Sequence, residues 1–161
     1  MVVVTYTDVN ESNVAITRSV TGTAVINVGG LDTFKDIVVM SIGANQIVVN
    51  NKVVAIDAAP IIENNRTFVP FRALIQAFGA EVAYDEATQA VTATLGDVTV
   101  VMTIGSAEYT VNGEVKTADV APFIKDSRTM VPVRFVAEAF GINVTPVYGD
   151  NGATVDVLFA K

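Results

Sequence analysis

Arg66 and Arg72 stand six residues apart with Thr67 and Pro70 between them, and Arg128, Thr129, Pro132 and Arg134 repeat the set sixty-two residues later. Two guanidinium groups at that spacing could clamp an anion or a ligand carboxylate. The competing reading is structural: Asp57, duplicated at Asp119, would neutralise the arginines of its own copy. Pro60, Gly79, Pro122 and Gly141 recur with the set and do no chemistry themselves, which favours the structural reading. Arg72 and Arg134 fall where a helix begins, and a cation there opposes the macrodipole at a cost of about 0.3–1 kcal/mol. A nearby carboxylate is therefore expected to offset it, the more so because Val69 and Val131, read as N-caps, have no side-chain acceptor.

Other chemistry is bounded by what is missing. The 161 residues include no histidine and no cysteine, so the usual general base, the imidazole metal ligand, the thiolate and the disulfide are all absent. No cofactor is expected. Asp8, Asn10 and Ser12 alternate like the start of a calcium loop, but Asn13 stands in place of the glycine and Ser19 in place of the closing glutamate, so a solvated turn is the better reading. Asp85-Glu86 reads as a turn and not as a glycosidase pair. Sugar-binding surfaces usually present flat aromatic platforms; here there is no tryptophan, and the tyrosines are Tyr6, Tyr84, Tyr109 and Tyr148. A formal charge of −7 argues against nucleic acid and anionic membrane surfaces as partners. The apolar residues come in short valine-rich runs, too short for insertion into a bilayer.

The elements that position the arginines are written twice. Residues 38–82 and 100–144 align without a gap, and 21 of the 45 positions are identical. In each copy two strands lead to a hairpin at Asn50-Asn51 or Asn112-Gly113, where positive φ is tolerated. A short strand, RTFV or RTMV, then runs into a proline that opens a helix. Phe71, Leu74, Ile75 and Phe78 fall at helical spacing, as do Val133, Val136, Ala137 and Phe140. Gly79 and Gly141 end the helices, which are too short to be stable without a sheet against them. The expected fold is α+β and strand-rich, with two tandem repeats, each an antiparallel sheet curled over one short helix. Residues 36–97 would form the first repeat and 98–161 the second, with strands from 1–35, VAITRSV and TAVINV, completing the first sheet.

The pattern of Asn112-Gly113, Asp119, Pro122, Arg128-Thr129, Val131-Pro132, Arg134 and Phe140-Gly141, with its earlier copy from Asn50 to Gly79, resembles the copper amine oxidase N-terminal-like, or stalk, domain. Tyr84-Asp85 stands where that family usually has Trp-Asp. The resemblance implies an accessory, non-catalytic part and not the copper-bearing one. It further implies tandem modules in exported, wall-associated proteins of Gram-positive bacteria, hence an extracellular or cell-surface location, although the first residues do not read as a secretory signal. The expected role is a spacer or docking module whose partners are other protein domains. Val2, Val3, Val4, Thr5, Tyr6 and Thr7 motivate an alternative. This uncharged, β-prone segment could pair with copies of itself in a filament or lattice. Cell-wall polysaccharide is a third partner class.

Overall fold

The computed structural model describes residues 2–7, 15–20, 36–50, 52–150 and 152–161, the first two segments as backbone. TAVINV and the Asp8–Asn13 turn lie outside the described residues, as does Asn51. Strands β1 (Val2–Thr7) and β2 (Ala15–Val20) pair antiparallel with each other in a two-stranded sheet of their own. From there the order is β3 (Ile37–Ser41), β4 (Gln46–Val49), β5 (Lys52–Ala55), β6 (Ile61–Glu63), β7 (Arg66–Pro70) and helix α1 (Phe71–Ala77). Strands β8 (Glu81–Asp85) and β9 (Ala90–Leu95) follow as a hairpin. The series then recurs as β10 (Val98–Thr103), β11 (Glu108–Val111), β12 (Glu114–Thr117), β13 (Phe123–Lys125), β14 (Arg128–Pro132) and α2 (Val133–Phe140), closing with the hairpin β15 (Asn143–Tyr148) and β16 (Thr154–Ala160). No described helix is long and apolar enough to cross a membrane.

The expected local punctuation is present. Asn50 and Asn112 adopt positive φ, and each side chain accepts the amide of a strand thirteen residues back, Ile37 at 2.8 Å and Thr99 at 2.7 Å. Pro60 and Pro122 contribute carbonyls, which accept the amides of Gly43 and Gly105 at 2.8 and 2.9 Å. Pro70 and Pro132, and not the valines before them, occupy the N-cap positions, where a missing N–H removes no helical bond. Gly141 takes the left-handed conformation that ends α2, with open space around its α-carbon. Gly141→Ala is expected to destabilise the protein by about 1 kcal/mol through backbone conformation alone, measured by denaturant unfolding.

The sheets are all antiparallel, but they do not divide the chain into two self-contained repeats. One five-stranded sheet runs β15-β16-β3-β4-β5 and the other β12-β11-β10-β9-β8. Each hairpin that follows a helix thus joins the sheet begun by the other copy. β16 lies beside β3, and β2, which falls within VAITRSV, pairs with β1. Between the two sheets lies a third, β13-β14-β7-β6, whose central pair sets Val69 against Val131, its own counterpart at the offset of sixty-two. Pro70 and Pro132 sit at the two ends of that three-residue pairing, where neither can donate to a longer ladder. This near-twofold crossing lays α1 against β14 as well as β7, so β8 leaves the helix beside the second sheet.

One continuous core results. Val69, Val131, Phe71, Leu74, Ile75, Phe135, Val136 and Phe140 pack with Val38 and Met40 of the first sheet and Val100 and Met102 of the second. The buried face of α2 is Phe135, Val136, Ala139 and Phe140, so it is rotated from the expected face through Val133 and Ala137. Phe135 accounts for the rotation: its ring packs edge-on against Tyr109 at 4.7 Å and against Phe71 at 6.2 Å.

Candidate functional site

The repeated arginines end up with different tasks. Arg66 donates through Nε to Asp119 Oδ2 at 3.1 Å, and Arg128 is hydrogen-bonded to Asp57. Both pairs cross between the copies. The expectation that each aspartate serves the arginines of its own copy is therefore corrected. Because β7 and β14 run antiparallel side by side, the strand start that carries each arginine lies near the loop of the opposite copy. The guanidinium of Arg128 holds the Asp57 carboxyl below the usual carboxylate range, and the aspartate in turn raises the Arg128 pKa. All four side chains are largely solvent-exposed, so replacing either aspartate by asparagine is expected to change the melting temperature little.

Arg66 and Arg72 are not brought together as an anion clamp. Arg72 and Arg134 are exposed and make no ion pair among the described residues, so the carboxylate expected beside the first helical turn is not supplied by Asp57 or Asp119. Instead, Arg72 joins Arg128 and Asp57 on the wall of a groove of about 1470 Å³. The groove opens beside α1, whose Ala73, Gln76 and Ala77 form its floor. One bank is built by Lys52, Val54 and Ala55 of β5, the other by Val82 and Tyr84 of β8. Among the described residues each bank is the last strand of its sheet. Thr67 and Thr129 are half-buried, and Thr129 alone reaches the groove lining.

Aligned sequences carried a signal for the groove that residue types alone did not reveal: Ala73 stands where the second copy has Phe135, and Ile47 where it has Tyr109. In the second half those two rings fill the corresponding space. Burial, and then the nearby Glu138, push the Tyr109 hydroxyl above its ordinary pKa.

Asp85 behaves as a turn residue, as expected. Its Oδ1 accepts the amides of Ala87 at 2.9 Å and Thr88 at 3.4 Å; the Thr88 side chain first, and then these two amides, keep its pKa low. Asp156 was not singled out by sequence. It is fully buried on β16 opposite Ser41, and among the described residues neither carboxylate oxygen has a hydrogen-bond partner. Burial raises its pKa; the Ser41 hydroxyl offsets this only in part and stands outside full hydrogen-bond geometry. A carboxyl raised on folding costs no stability below its unfolded pKa of about 3.9 and progressively more as pH rises through the folded value. Asp156→Asn is accordingly expected to raise the melting temperature at pH 7 and to leave it unchanged near pH 3, as followed by calorimetry.

The sequence profile of the copper amine oxidase N-terminal domain matches residues 48–154. No curated protein matches the chain.

Proposed function

Since the chain belongs to the copper amine oxidase N-terminal domain family, we propose that it is a non-catalytic extracellular module that spaces or docks other protein domains. The observation that carries this reading is the groove beside α1, flanked by strands that are outermost in their sheets among the described residues and so have backbone groups to offer. The copper in the family's name finds no suitable donors here. Imidazole and thiolate are absent from the sequence, and among the described residues no group of three or more metal-binding side chains comes together. Two measurements test the proposal. With Cu²⁺, oxygen and a primary amine, the protein is expected to release no hydrogen peroxide above a blank, and calorimetry is expected to show no stoichiometric micromolar copper site. In the source cells the chain is expected in the wall or medium fraction; recovery in the cytosol would sink the extracellular reading.

A second reading has one observation in its favour. Among the described residues β1 pairs only with β2, and a two-stranded sheet is marginal in water unless something packs on it. An outer edge left over by this pairing could take a strand of another copy in a filament or lattice. Light scattering at rising concentration, with and without residues 1–7, distinguishes this from the monomeric module. Loss of assembly on deletion at an unchanged melting temperature is the expected signature.

A further inference from the structure

We propose that the groove beside α1 takes an extended acidic segment of a partner protein. The segment adds as a strand to β5, setting a large apolar side chain over Ala73 and a carboxylate beside Arg72. This rests on the docking-module reading and names the kind of partner. The two halves of the protein differ at this point. In the second, Phe135 and Tyr109 are both buried with their rings 4.7 Å apart, whereas the first half has Ala73 and Ile47 at the matching positions. Ala139 is buried accordingly, while its counterpart Ala77 is only partly covered. The fold thus shows in one half what fills the space left open in the other: a large, mainly aromatic, side chain.

Shape points to a chain and not a small molecule. The groove exceeds the roughly 300–1,000 Å³ usual for small-molecule pockets, and among the described residues both its banks are sheet edges. Ile56 donates its amide to Asn45, and in an antiparallel ladder bonded residues recur at every second position. Val54 and Lys52 therefore bond inward to β4, leaving the amides and carbonyls of Val53 and Ala55 directed outward. A strand laid on β5 satisfies those groups, while its alternate side chains face the groove.

Charge supplies the acidic character. Lys52 and Arg72 make no ion pair among the described residues, whereas Arg128 is already engaged by Asp57. Where the first half has Lys52 and Gln76, the second has Glu114 and Glu138, so an acidic strand is favoured at the first and opposed at the second. Glu86 at the β8 bank carries the opposite charge, which places the partner's carboxylate on the β5 side.

The test uses the full chain and a fluorescein-labelled heptapeptide, Thr-Thr-Glu-Thr-Phe-Thr-Val, in which the glutamate, phenylalanine and valine share one face. Fluorescence anisotropy is expected to show saturable binding, weakened about tenfold or more when the peptide phenylalanine becomes alanine. Ala73→Phe, which copies the residue the protein's other half already holds, is expected to abolish binding at an unchanged melting temperature. Arg72→Ala is expected to weaken binding about threefold to tenfold and flatten its salt dependence. Absence of saturable binding, or equal binding by Ala73→Phe, overturns the inference. It is also overturned if polygalacturonate binds in an Ala73→Phe-sensitive manner and the peptide does not, since the ligand is then a polyanionic glycan. Any of these results leaves the non-catalytic extracellular reading to its own copper and fractionation measurements.

Discussion

Neither half of the chain, produced alone as residues 36–97 or 98–161, is expected to give a folded monomer, and mixing the two is expected to restore the fold. In the first fragment β3-β4-β5 would lack β16 and β15, while β8-β9 would have no β10 to join. Val69 would lose Val131 across the central ladder. The second fragment suffers the converse. Because the central crossing pairs each residue with its own counterpart, a fragment could replace the missing half only with another copy of itself. Any folded material from one half is thus expected to be dimeric. Circular dichroism and size exclusion of each fragment, alone and mixed, decide the matter. A cooperative melt from a monomeric fragment would contradict the exchanged hairpins.

Phe71→Ala is expected to lower stability by about 3–5 kcal/mol, among the larger effects available to a single substitution. The side chain is 1% exposed and lies against the rings of Phe135 at 6.2 Å and Phe140 at 6.0 Å, both contributed by α2. Truncation leaves a cavity shared by the two halves. Neighbours can close it only by moving both helices. The melting temperature should fall by on the order of 10–20 °C for a domain of this size. The transition should remain single, because one core serves all three packed sheets. Two separated transitions, with only one displaced, would show that the halves unfold independently.

Features settled within a few residues were legible beforehand. Proline opens each helix, and a left-handed residue closes α2 at Gly141. Asparagine turns each hairpin at Asn50 and Asn112, and Asp85 caps its own turn. Each depends on one residue's φ range or on a hydrogen bond to a near neighbour, so the local residue types were sufficient. The rotated face of α2 lies at the limit of such reasoning. Val133 and Ala137 satisfy the helical period as well as Phe135 and Ala139 do, and only the presence of Tyr109 and Phe71 selects the latter pair.

The duplication at an offset of sixty-two, the alternation of strands with two short helices, and the absence of imidazole and thiolate were determined by sequence alone. Which hairpin enters which sheet, and which aspartate meets which arginine, were decided only by the tertiary structure. The physical reason lies in the repeat itself. With Asp57, Arg66, Asp119 and Arg128 written identically in both copies, pairing within a copy and pairing across copies present the same residue types to one another. No local preference separates the alternatives. The choice falls to the antiparallel meeting of β7 with β14, which carries Arg66 to Asp119 and Arg128 to Asp57. The groove belongs to the same class. Ala73 and Phe135 differ visibly in the sequence, but that one leaves a space and the other fills it depends on Ile47 and Tyr109, brought beside them by sheets far away along the chain.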